Sequence, residues 1–580
     1  MKNQHSKATK FFNTVTSHYK IILTLSILVI IGVSTFIPKM TKDTSYDAFL
    51  PKDDPILVFR NQVKESFGLK DPMVIAIVNE KGIFNKKTLA LVHELSEKIK
   101  AIPGIDPDQI TSLSTENNIV GTDEGLEVDS FFEIDELTDT KALDVKEAID
   151  DFELYQGSLV SKDHTTTLVI AEMLDRYDKK QHEVYKSLIA LLDEYKSHDE
   201  QFYLAGEGAV SGYLIRYIDE DAMKTNPFAA IVISIILIIA YRRWRAVVLP
   251  NIMVLAAVGI TLGAMAAFGV DFYVITNGLP VVLIAIAVAD GIHILGEYYE
   301  VAAKHPEYSQ KELVVKTMVQ MWRPITITSI TTVAGFLAIA ASSYMPPMMY
   351  FGLFGALGVV VALVYALLMF PAAMMLLKPQ LSRAYKPNQD IDWFGKVMQF
   401  IGAIVVKHPK TIVILSIIIV AFGFNGATKL VINENRIHNF QSEEPIVKAD
   451  ALINTKTDGT SYLDIFIETP ENEDLFAPEN LRKIEALQTY VETLPHVKGS
   501  TSIVDFLKKM NQSLNENQKE FYTIPDDKNL IAQYFLLYSA SGDPTDFDNY
   551  IDYDYRLANV RFRMDTGEYL LEKPVVEKAN

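Results

Sequence analysis

An aspartate and a histidine stand three residues apart inside an apolar run. Ala289-Asp290-Gly291-Ile292-His293 follows directly on Ile284-Ala-Ile-Ala-Val. A carboxyl and an imidazole have reference pKa values on either side of neutrality, and this spacing sets them on one helix face. Such a pair can take up and release protons within a membrane. Its setting is costly, because an ionisable group deep in a span costs about 2.5–3.5 kcal/mol on insertion scales. Asp290 and His293 are therefore the expected proton relay. The alternative is a neutral aspartate that bonds a neighbouring helix and only fixes packing. Glu297 continues the same face and reads as an accessory group or an interfacial anchor. Further on, Thr328, Thr331 and Thr332, with Thr326 and Ser329, place hydroxyls in the next apolar run. These either bond back to their own helix or line a proton or water path.

Other chemistries are absent from the sequence. There is no cysteine, so disulfides and thiolate ligands or nucleophiles are excluded. No Gly-x-x-x-x-Gly-Lys-Ser/Thr motif occurs, so ATP is not the expected energy source. His182 and His198, or His293 alone, make no metal set. No enzyme activity and no cofactor beyond protons are expected. Residues 39–225 carry 38 Asp/Glu against 21 Lys/Arg, much of the chain's formal charge of −19, which argues against nucleic acid as a partner.

The elements that position these residues are membrane spans. Seven apolar runs, near 21–38, 227–241, 246–268, 274–296, 324–342, 350–377 and 411–428, are long enough to cross about 30 Å of hydrocarbon. Gly278 and Pro280 interrupt the fourth early, and Gly352, Gly355 and Gly358 form a small-residue seam on the sixth. Basic residues fall on one side: Lys2, Lys7, Lys10 and Lys20 in the tail, Arg242, Arg243 and Arg245 after the second run, and Lys378, Arg383, Lys386, Lys396, Lys407 and Lys410 between the sixth and seventh. That places the N-terminus in the cytoplasm, in a multi-pass protein of a cytoplasmic (inner) membrane.

The order is a cytoplasmic tail (1–20), TM1 (21–38), an extracytoplasmic domain (39–225), the TM2–TM6 bundle (226–378), a cytoplasmic linker (379–410), TM7 (411–428) and a second extracytoplasmic domain (429–580). The chain repeats itself. His18 and Lys20 correspond to His408 and Lys410, and Asp53-Asp54-Pro55-Ile56 to Glu443-Glu444-Pro445-Ile446, all offset by 390 positions. A period this long marks a duplicated half of a transporter-like protein. In the first outer domain, strands at 73–79, 110–113, 166–174 and 202–205 alternate with helices at 85–100, 179–196 and 210–223, and 122–153 reads as mixed helix and loop. Strand–helix alternation predicts an α+β sandwich of ferredoxin-like type. The second domain repeats its beginning, with strands at 463–468 and 560–564 and a helix at 478–493, and ends before the pair that closes the sheet, as expected of an incomplete chain.

RPITITSITTVAGF at 323–336, PPMMYFG at 346–352 and FPAA at 370–373 resemble the fifth and sixth spans of the resistance–nodulation–division (RND) superfamily. Residues 289–293 resemble the fourth-span motif of its MMPL-like exporters, and YLAGE at 203–207 the approach to the second span. The resemblance implies an α-helical RND half-transporter plus the start of a second repeat. It implies export of lipids or other hydrophobic or amphipathic molecules driven by the proton-motive force, with Asp290 as the proton carrier. It also implies a tenth span, beyond this sequence, that supplies partner charges. Expected partners are membrane lipids and a hydrophobic small-molecule or lipid substrate, with a periplasmic accessory protein and a homo-oligomer left open. A protein-translocation auxiliary of the same superfamily and a non-pumping, sterol-sensing-like lipid receptor are the alternatives.

Overall fold

The computed structural model describes residues 2–45, 47–122, 125–174, 180–378 and 393–579. It divides into two compact units: Met1–Lys52 with Tyr217–Val431, and Asp53–Arg216 with Ile432–Asn580. Arg383, Lys386 and the first part of the expected linker, 379–392, lie outside the described residues.

Seven helices among the described residues are long and apolar enough to cross a membrane, all within the first unit except the start of the second helix, before Tyr217. They are Tyr19–Lys39, Glu207–Tyr241, Ala246–Ala267, Val274–Lys304, Gln310–Ser342, Pro346–Met374 and Pro409–Ala427, hereafter spans one to seven. They cover the seven apolar runs. Span five starts well before its apolar stretch, because Ser309 and Glu312 form a reciprocal capping box that fixes the helix start at Gln310. Span six packs on span five through its glycine seam: Gly355 lies against the Phe336 ring, and a methyl group at Gly352 would sit 2.6 Å from the Phe336 carbonyl. The basic tail is helical. Lys2–Ser17 is a helix whose Phe12 and Val15 are buried, packed along span five. Within the expected linker, Trp393–Lys407 is also helical, leading into span seven.

The second unit holds the two outer domains. The first is a four-stranded sheet of β1 (Met73–Val78), β2 (Ile105–Thr111), β5 (Thr166–Met173) and β6 (Gln201–Ala205) in the order β2-β5-β1-β6. Every neighbouring pair is antiparallel. Helix Lys86–Lys100 follows β1, and Gln181–Glu194 precedes β6. This is the ferredoxin-like arrangement, and β1, buried at all six positions, is its centre. The stretch read as mixed helix and loop opens instead with a hairpin, β3 (Asn117–Thr122) paired with β4 (Gly125–Ser130). Helix Asp139–Asp150 follows it.

The second domain repeats the plan with β7 (Ser461–Glu468), β8 (Val497–Thr501) and β9 (Leu557–Met564) in the order β8-β9-β7, again antiparallel. Helices Ile503–Leu514 and Lys528–Ser541 stand between β8 and β9, and both pack on the β3–β4 hairpin of the first domain. Ser513 Oγ donates to the Ile119 carbonyl at 2.9 Å, and the backbone at Ser513 comes so close that residue 121 must be glycine. Asp458, nearly buried, lies 3.1 Å from Lys162 Nζ and 3.5 Å from Arg563 Nε. Arg436 pairs with Glu207 and also donates to Ser211 Oγ at 3.0 Å.

Candidate functional site

Span four owes its start to Pro280 in the first helical turn, where a missing N–H costs nothing, after the tight 3-10 turn Val274–Gly278. From there one side of the helix is buried through Leu283, Ile284, Ala287, Val288, Asp290, Gly291, Ile294 and Leu295. Asp290 is 6% exposed. Its Oδ2 is buried and makes no hydrogen bond among the described residues.

The residues that follow Asp290 tie span four to its neighbours. A methyl group at Gly291 would sit 3.0 Å from the Pro250 ring of span three and 3.5 Å from the Phe370 ring. A side chain at this position would press on the Pro250 ring. Pro250 has no N–H, so the carbonyl one turn earlier loses its helical partner there. Tyr241, at the end of span two, donates its hydroxyl to the Ile292 carbonyl at 2.9 Å. On span five, which packs against span four, Thr326 Oγ1 and Ser329 Oγ are likewise buried without a hydrogen-bond partner among the described residues. Unpartnered buried polar atoms are costly and uncommon, and among the described residues spans four and five carry four, with Thr276 Oγ1 at the start of span four as the fourth.

The other sequence-derived candidates lie elsewhere. His293 is exposed, on the side of span four that carries Val282, Ala285 and Ala289, and no hydrogen bond joins it to Asp290 among the described residues. Glu297 is half-buried. Thr328 donates to the Pro324 and Ile325 carbonyls, and Thr331 and Thr332 both donate to the Thr328 carbonyl, so all three hydroxyls are satisfied within their own helix. No cluster of metal-ligating side chains occurs among the described residues. Tyr241, Pro250 and Asn251 are not among the residues expected from the sequence. Asn251 donates to Ser234 Oγ at 3.1 Å and to the Val247 carbonyl at 2.8 Å, tying span three to span two. Their signal was a Pro-Asn pair and a tyrosine at helix positions that hydropathy alone treats as filler.

Residues 51–412 match the model of the MMPL family. The chain is also similar to a membrane protein of Methanocaldococcus jannaschii, 24% identical over 387 residues, which span 64% of this chain and 93% of that relative.

Proposed function

The chain belongs to the MMPL family, and on that premise we propose that it is a proton-driven exporter of lipids or other hydrophobic or amphipathic molecules, with Asp290 as the proton carrier. The family places it among membrane transport proteins. The observation that supports the finer reading is the Oδ2 of Asp290, buried within span four without a hydrogen-bond partner among the described residues.

A charge in that position is costly, and protonation removes it. A change of protonation thus shifts the balance between helix arrangements that bury the carboxyl and those that solvate it. His293, one turn on and exposed, is proposed to pass protons between Asp290 and the surface of the bundle, with Glu297 beyond it. The distribution of basic residues supports a proposed N-terminus in the cytoplasm, in a cytoplasmic membrane, with the acidic domains outside it.

The test is transport of a fluorescent lipid by the intact protein in proteoliposomes under an imposed proton gradient. Asp290→Asn keeps the shape and removes the titration. Export falling to the level of empty vesicles is the expected result. Gradient-dependent export that survives the substitution ends the proton-carrier reading. Lipid binding with no response to the gradient, in wild type and variant alike, favours the receptor.

A further inference from the structure

Span one, span three and the end of span six do not close on one another. Between them is a cavity of about 260 Å³, walled by Leu23, Ile27 and Ile30 of span one, Leu249 and Ile252 of span three, and Ala373 of span six. Among the described residues, Ser26 and the indole of Trp244 are the polar contributors to its lining. A groove of aliphatic side chains inside a membrane protein receives hydrocarbon.

All three walls end in basic residues on the same side. Lys20 lies one turn before Leu23, Arg242 and Arg243 immediately precede Trp244, and Lys378 follows Leu377. Lys20 and Arg242 are exposed, and neither makes an ion pair with an acidic side chain among the described residues. Arg242 also holds a left-handed backbone, with φ of 51°. A long side chain is an unfavourable occupant of that conformation, where glycine or asparagine fits at less cost, so its charge has a reason to be there. Trp244 is 65% exposed at the groove mouth, the depth at which indoles meet lipid head groups.

We propose that this groove binds an anionic phospholipid of the surrounding bilayer. One acyl chain lies between spans one, three and six, and the phosphate of the head group lies against Lys20 and Arg242. The apolar walls exclude a free aqueous anion, and the basic rim distinguishes this lipid from a zwitterionic one. The site stands on the groove and its rim, and is independent of whether Asp290 carries protons. It does touch that region. Pro250 sits between two wall residues, Leu249 and Ile252, and packs on Gly291, so a chain in the groove props the helix face behind Asp290.

Trp244 is one of three tryptophans. In a Trp322→Phe, Trp393→Phe chain it reports from the groove mouth alone. Reconstituted into phosphatidylcholine vesicles, its fluorescence should be quenched more by a minor fraction of brominated phosphatidylglycerol than by an equal fraction of brominated phosphatidylcholine. That preference should fall about fivefold for each of Lys20→Gln and Arg242→Gln, and should weaken with added salt. Equal quenching by the two lipids overturns the proposal, as does a preference that survives both substitutions. Quenching by neither lipid also overturns it, since a protein segment then covers the groove. Native mass spectrometry of the otherwise unaltered protein gives a second check. Ala373→Phe fills the groove and leaves the rim intact, and should release a phosphatidylglycerol that the parent retains. Unchanged retention refutes the site.

Discussion

Three residues along an α-helix is a rotation of about 300°, so His293 stands about 60° around span four from Asp290. The edge of the buried face falls within that arc, and one residue is 6% exposed while the other is open. Sequence spacing brought both into view. It did not place the edge, because Ala285 and Ala289 are small and apolar and suit either side of it. The partners of the site were less legible still. Gly291 carries no signal of its own in the sequence, yet its missing side chain is what admits Pro250. Gly291→Val should therefore force the two helices apart and cost about 1–3 kcal/mol, read as a lower thermal midpoint in detergent. An unchanged midpoint would mean the contact is slack. Tyr241→Phe removes one hydrogen bond to the Ile292 carbonyl and should cost only about 1 kcal/mol in the same assay.

The spans were readable because hydrophobic length is a strong signal, and the first ferredoxin-like sheet because its strands and helices keep distinct periods. Three elements were not. The β3–β4 hairpin buries little more than Ile119, Leu126 and Val128, and acidic residues between them mask the alternation. Helix Trp393–Lys407 lies within the expected linker, and its Val397, Phe400, Ile401 and Ile404 recur at helical spacing, the pattern of a helix that lies on a membrane surface. The early start of span five hid in a polar stretch. Ser309 and Glu312 satisfy each other's backbone there, and Ser309→Ala should cost about 1 kcal/mol. Hydrogen exchange would show it as faster exchange confined to residues 310–316, with the apolar part of the helix unchanged.

At the scale of the outer unit, the repeat was legible from the offset of 390, and it predicts the shared strand order of the two sheets. The way the domains hold each other was not, because it depends on contacts between residues hundreds of positions apart. One of those contacts makes stability depend on pH. Burial pushes Glu116 up to about 7, against the hydrogen bond it accepts from Tyr155 at 3.0 Å, and the nearby Asp546 of the second domain adds to the shift. Tyr538, also from the second domain, donates to that aspartate at 2.6 Å. The folded state thus holds a proton that the unfolded chain releases near pH 4.3. Stability from this group is complete below that value and is lost as pH rises toward about 7. Thermal unfolding of the wild type at pH 5 and pH 8 should show the decline, and Glu116→Gln should flatten it. An identical slope in the variant would assign the decline to other groups.

The hairpin of one outer domain is gripped by helices that occupy the equivalent place in the other, so the duplicated sequence is no longer a pair of interchangeable parts. After such an exchange of grips, a substitution on one side is tolerated only if its counterpart accommodates it, and the two halves are inherited as one. A chimera that borrows a single half from a distant cousin would bring a key cut for another lock.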